Sequence, residues 1–220
     1  LFHQLCREIW FYQMFFPANL IGYILEPIYV FALRKNRVLT ISNSTKKDLL
    51  RYKYSADKIN IFPEGIEITP IEKLSDAKKY DKPTLLSLGA IRPMKRTLDQ
   101  IKAFESAKRK IPELQMKIAG MGSGRYYNKV MAHIDNSLYR KDIEYLGFIS
   151  KQKKEELMRR CHIIMVASVK EGWGLIVTEA NSQGTPAVVY NVDGLRDSVK
   201  NNKTGLISKE NNPESLAESI

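Results

Sequence analysis

From Pro83 onward, short apolar runs alternate with helical patterns, and this constrains the fold more than any other feature. The runs 84–88, 115–119, 142–146, 163–167 and 187–190 read as buried strands. Between them, 96–110, 125–139, 151–160 and 175–183 read as helices, with Leu98, Ile101, Phe104 and Ala107 repeating at helical spacing. Strands separated by helices pair in parallel through crossovers, which predicts an α/β fold with an open, doubly wound parallel sheet. Ligands of such sheets sit beyond the carboxyl ends of the strands. The loops after Leu88, Ala119, Leu146 and Ala167 are therefore the places to search.

The preceding part is organised differently. Residues 38–42 and 59–62 read as strands, with a helix at 44–52 entered through Asn43 or Ser44. Residues 67–83 are polar and lack periodicity, which predicts a linker between a partial unit, 1–66, and a larger domain, 84–220. Residues 9–25 carry no charge, close to the shortest stretch that crosses a bilayer. Gln13, Pro17, Asn19 and Gly22 interrupt it and Glu26-Pro27 is expected to close it, so a buried or membrane-surface segment is expected. Eight Lys and Arg against two Asp follow between residues 34 and 58. They read either as a solvated helix face or as a platform for anionic lipid.

Hydrophobic residues at 44% and charged residues at 27% of 220 are ordinary globular values and exclude a disordered chain. A net charge of +11 suggests an anionic partner: nucleic acid, an acidic membrane or a phosphorylated small molecule. Cys6 and Cys161 cannot form a disulfide framework and fit a reducing, cytoplasmic setting. No signal peptide is read at Leu1, and both ends read as cut from a longer protein.

The four loops differ in what they carry. The first, from Gly89, brings Arg92, Lys95 and Arg96 to a helix start, competent for phosphate or equally a turn with solvated cations. The second holds Gly120, Gly122 and Gly124, but the third glycine of a dinucleotide fingerprint is replaced by Arg125; Glu144 stands at a plausible ribose distance. The third offers Phe148 and Ile149 as a wall for a base, or as core. The fourth is richest: Glu171-Gly172-Trp173-Gly174-Leu175 leads into a helix that carries Glu179. Backbone N–H groups at a helix start cradle anions, and two carboxylates facing one cleft accept well from sugar hydroxyls.

Glu171 and Glu179 in an E-x7-E arrangement, with Gly89, Lys95, Gly184-Thr185-Pro186, Asp193-Gly194 and Thr204-Gly205-Leu206, resemble the retaining GT-B glycosyltransferases of family 4 (glycosyl transferases group 1). The resemblance covers residues 38–220 and, more weakly, 1–33. It implies two Rossmann-like domains facing across a cleft, a nucleotide-sugar donor carrying UDP or GDP, and a glycan or lipid-linked acceptor. It implies that Lys95 neutralises the diphosphate, Glu171 touches the transferred sugar and Glu179 the ribose. The backbone of Gly172, Trp173, Gly174 and Leu175 would reach sugar and diphosphate. Gly120 and Gly122 would admit the nucleotide, and Phe148 and Ile149 would border the base. His3 resembles the histidine that lies near the reacting sugar. Ala90 stands where the family usually has Arg, with Arg92 two residues on as the substitute. Trp173 replaces the usual Phe, and Pro63-Glu64-Gly65 replaces Asn before Gly. The resemblance implies that much of the N-terminal domain, with its glycine-rich loop, lies outside these 220 residues.

Cations and N–H dipoles aimed at a departing diphosphate would lower the barrier to sugar transfer through an oxocarbenium-like state. No Asp-x-Asp occurs, so no metal and no cofactor beyond the donor is expected. Two rivals remain at this point. One is a nicotinamide-dependent oxidoreductase, on the Gly120–Gly124 turn. The other is a non-catalytic basic module for membrane or nucleic acid, although no nucleic-acid motif is present and none is expected to bind.

Overall fold

The computed structural model describes residues 1–220. An extended start at Phe2 leads into α1 (Trp10–Gln13), α2 (Ala18–Ala32), β1 (Val38–Thr40), α3 (Asn43–Arg51) and β2 (Ile59–Ile61). Then come β3 (Thr84–Leu88), α4 (Thr97–Lys108), β4 (Gln115–Ala119), α5 (Gly124–Asp135), β5 (Ile143–Gly147), α6 (Lys151–Arg160) and β6 (Ile163–Val166). The chain finishes with α7 (Leu175–Ser182), β7 (Ala187–Val189), α8 (Leu195–Ser198), β8 (Gly205–Ile207) and α9 (Pro213–Glu218).

The later strands form one six-stranded sheet in the order β5-β4-β3-β6-β7-β8, and every neighbouring pair is parallel. Alternation along β3 sends Leu85 to one face and Leu86 to the other. Leu85 joins Met116, Ile118 and Met165 beneath Ile101, Phe104, Val130 and Leu216 of α4, α5 and α9. Leu86 joins Ile164, Val166 and Val189 beneath Leu157, Val177, Ala180 and Leu195 of α6, α7 and α8. Two separate apolar clusters on one sheet are what a doubly wound architecture requires.

Several boundaries differ from the sequence reading. Ser42, rather than Asn43 or Ser44, caps α3: its Oγ accepts from Thr45 N at 3.2 Å, which ends β1 early. The fifth strand starts one residue late because Arg140–Asp142 forms a tight turn. β8 escapes sequence reading because it is three residues long and begins with Gly205.

The largest correction is at Glu26-Pro27, where α2 continues to Ala32. Glu26 is buried and accepts from Cys6 N and Arg7 N, both at 2.6 Å, and from Trp10 Nε1 at 3.2 Å. Pro27 removes a donor from the helix ladder and so frees the carbonyl of Tyr23. Arg7 Nη1 donates to that carbonyl at 3.2 Å. Gly22 leaves room for the Trp10 indole, since a Cβ there would lie 2.4 Å from the ring.

The stretch 67–83 is a strap held against the larger domain. Lys79 Nζ donates to Cys161 O at 2.9 Å, Gly184 O at 3.0 Å and Thr185 Oγ1 at 2.6 Å. Gln183 Nε2 donates to Thr69 O at 2.8 Å.

Where β3 begins, Thr84 N donates to Nδ1 of His162 at 3.1 Å, and burial with the nearby Lys79 charge lowers the His162 pKa. The unfolded chain therefore binds this proton more readily, so the contribution is complete above about pH 6.5 and is lost as pH falls through the lower native value. Melting curves between pH 7.5 and 5 should show a steeper acid-side loss for the parent than for His162→Gln. Parallel curves would rule the contribution out.

Candidate functional site

β3 and β6 lie side by side at the middle of the sheet, and successive strands leave this point in opposite directions. The loop after β3 runs to α4 and the loop after β6 to α7, so a crevice opens between them. The crevice is a cleft of about 350 Å³. His3, Gln4, Ile41 and Glu64 of the N-terminal unit form its opposite wall.

The two loops meet through their charges. Lys95, at the end of the turn Pro93–Lys95, places Nζ 2.5 Å from Glu171 Oε1. Ser168 Oγ donates to the same carboxylate oxygen at 2.6 Å. Glu171 N donates to Asp193 O at 3.1 Å, which fixes the backbone on the other side. Gly174, at φ +86, turns the chain into α7, whose N-terminus opens on the cleft. Gly172 passes so near the N-terminal unit that a Cβ would lie 2.8 Å from His3 O. Trp173 is oriented by Nε1 donating to Thr178 Oγ1 at 2.9 Å. His3 Nδ1 lies 3.1 Å from Glu64 Oε1.

The residue before Glu171 joins the two units. Lys170 is 7% exposed, with Nζ 2.9 Å from Asp48 Oδ2 and 3.5 Å from Asp193 Oδ2. Burial works against its charge, but the hydrogen bond and charge of Asp48, helped by Asp193, outweigh it and raise the pKa. Beside it, both oxygens of Asp197 lie 3.3 Å from Ser44 N, at the start of α3.

Of the residues singled out from sequence, the cleft gathers His3, Gly89, Lys95, Glu171, Gly172, Trp173, Gly174 and Leu175. The others stand elsewhere. Arg92 is exposed and outside the lining. At Gly120 the space of a Cβ is taken by the Gly89 carbonyl, at 1.9 Å, and at Gly122 by Tyr127 and Ile91. At these two positions the glycines admit neighbouring loop atoms, whereas at Gly124 the space of a Cβ is open. Phe148 is exposed and Ile149 packs against the second cluster. Glu179 lies one turn into α7, paired with Lys154 at 2.6 Å.

Sequence reading passed over Gln4, Ser87, Thr97 and Gln100, which also line the cleft. Gln100 Nε2 donates to Lys95 O at 3.1 Å, and its Oε1 is buried without a partner, as is that of Gln4. Only their place in the tertiary structure brings these side chains to the site. Ser168 did have a signal, since it stands in the fourth loop.

The profile of the family described as Glycosyl transferases group 1 matches residues 70–220. The chain belongs to this family. Trehalose synthase of Thermococcus litoralis is 26% identical over 174 residues, covering 71% of this chain and 42% of the relative. D-inositol 3-phosphate glycosyltransferase of Mycobacteroides abscessus is 27% identical over 194 residues, covering 83% and 43%. This group 1 chain thus spans less than half the length of these two relatives. Among solved structures, Anabaena HepE in complex with UDP and glucose superposes with a TM-score of 0.74 at 16% identity, covering 99% of this chain and 59% of that one. A glycosyltransferase from Rickettsia africae superposes at 0.70 with 24% identity, covering 87% and 54%. The α/β architecture is that of the GT-B glycosyltransferases.

Removing one member of a buried ion pair costs about 3–5 kcal/mol. Lys170→Met should therefore lower stability toward urea by an amount in that range, at its lower end because Arg51 still pairs Asp48 at 3.0 Å. As a raised Lys pKa requires, the difference should hold below about pH 10 and shrink at higher pH. A change within error at pH 7 would refute a stabilising role for the Lys170–Asp48 pair.

Proposed function

We propose that this chain carries the donor site, and part of the acceptor side, of an enzyme that transfers a sugar from a UDP- or GDP-linked donor with retention. The acceptor is a glycan or a lipid-linked precursor. One observation carries the reading: Lys95 and Glu171, 76 residues apart, form an ion pair at the crevice beside the α7 N-terminus. HepE, solved with UDP and with UDP-glucose, supports it through the shared fold.

In this reading a diphosphate replaces Glu171 as the partner of Lys95. The freed carboxylate, still held by Ser168, accepts from hydroxyls of the transferred sugar. The ammonium and the N–H groups beginning α7 meet the negative charge as the glycosidic bond to phosphate breaks. The leaving phosphate takes the acceptor's proton, and no metal is assigned a part. His3, steadied by Glu64, borders the sugar from the acceptor side. Glu179 turns from Lys154 to the ribose, and Phe148 and Ile149 flank the base. Arg92 reaches the diphosphate only if its side chain swings inward. The free thiols suit a reducing cytoplasm; that of Cys161 is pushed up to about 12 by burial and is inert.

Thermal shift with UDP-, GDP- and ADP-sugars and with NAD tests this directly. A sugar nucleotide should raise the melting temperature and NAD should not. Lys95→Ala and Glu179→Ala should each weaken donor binding at least ten-fold while melting cooperatively. NAD binding without nucleotide-sugar binding, or unchanged donor affinity in both variants, would overturn the assignment.

A further inference from the structure

An extended apolar surface lies outside the cleft lining, on α2 and the corner before it. Ile21, Ile24, Leu25, Ile28 and Phe31 are each 45–60% exposed. Phe15 and Phe16, where the chain turns into α2, are 77% and 75% exposed. At 100° per residue, Ile21, Ile24, Ile28 and Phe31 share one stripe, opposite Glu26 and Val30, which face inward. A soluble helix normally turns a polar face to water, and here the outward face has no charge.

We propose that this ridge docks on an anionic lipid bilayer, with α2 lying in the interface rather than crossing it. No helix of the chain is long and apolar enough to cross a membrane. Charge complementarity identifies the occupant. At the C-terminal end of the ridge the Arg34 guanidinium lies 3.8 Å from the Phe31 ring centroid, followed by exposed Lys35 and Arg37. Lys58 joins them, its Nζ donating to Lys35 O at 2.9 Å. The acids between residues 9 and 58 are Glu26, Asp48 and Asp57; the first two are buried and paired. An apolar face bordered by cations, with almost no opposing acid, matches acyl chains and anionic headgroups.

The ridge is distinct from the surface where further chain would complete the small sheet. β1 and β2 pack one face on Val30, Leu49 and Tyr54. Their other face is open, with Leu39 48% and Phe62 65% exposed. Helices completing a doubly wound domain belong on that open face, and strands beside Phe2, in the plane of the sheet. Neither position reaches the outer side of α2. Gln13, two residues before this corner, reaches the donor domain, its Nε2 3.0 Å from the sulfur of Met94, next to Lys95. Where the acceptor is lipid-linked, as in the function proposed above, such a surface would bring the enzyme to its acceptor's membrane.

Flotation of the 220-residue chain with vesicles tests the surface, because lipid-bound protein rises and aggregates sink. The chain should float with vesicles of phosphatidylcholine plus phosphatidylglycerol at low salt, far less with phosphatidylcholine alone, and should be released by high salt. Phe15→Ser/Phe16→Ser, Ile24→Ser/Ile28→Ser and Arg34→Ser/Lys35→Ser should each reduce the bound fraction at least ten-fold, with circular dichroism unchanged. Leu39→Ser/Phe62→Ser, on the open sheet face, should leave it unchanged. Equal flotation with neutral vesicles, an equal loss from the Leu39/Phe62 variant, or a dimer dispersed by the Ile24/Ile28 variant without lipid binding would each overturn the proposal. Nucleotide-sugar thermal shift on the ridge variants keeps this outcome separate from the donor site, and should match the parent.

Discussion

Everything at the site depends on β3 and β6 being neighbours. The pairing joins Leu85–Ser87 to Ile163–Met165 across two complete βα units. It exists because Leu85 and Leu86 feed opposite cores, and only a strand covered on both faces can lie at the centre of the sheet. Once the two strands are adjacent, their following loops must diverge, and the space between them is where Lys95 and Glu171 meet. The ion pair is thus a product of topology and not of local sequence.

The N-terminal unit completes the site through close backbone approach and buried charge. Gly172 lets the His3 carbonyl pass, while Lys170 ties the same loop to Asp48 on α3. Each neighbour of Glu171 is therefore engaged with the opposite wall. Ser168 and Lys95 both hold one oxygen of the carboxylate between them, and in the proposed reading a diphosphate takes Lys95 over. In that reading an exchange of partners leaves neither charge unpaired, which is the costly outcome for a buried ion.

Much of the larger domain was legible. The runs at 84–88 and 115–119 become strands with those limits, and the helix at 151–160 does the same, because buried strands and amphipathic helices leave periodic marks. Short elements were not legible. β8 has three residues, and α2 crosses a proline where Arg7, distant in sequence, satisfies the carbonyl that Pro27 exposes. At the site, the Lys95 and Glu171 loops could be read from residue type and position after a strand. Gln4 and Gln100 could not, since neither stands in a glycine turn. Gly120 and Gly122 showed the reverse problem: a glycine announces a close approach but not whether backbone, side chain or ligand makes it.

The sequence by itself determined the class of fold and the loops in which chemistry could lie, because those follow from periodicity and from the residue types beside each strand end; the family entered through the resemblance of its motifs. Only the tertiary structure decided which loops face one another, that the strap is bound, and that the outer side of α2 is left apolar. Pairing between distant strands and the partner of a buried charge depend on how both faces of the sheet are filled. No local window of residues holds that information.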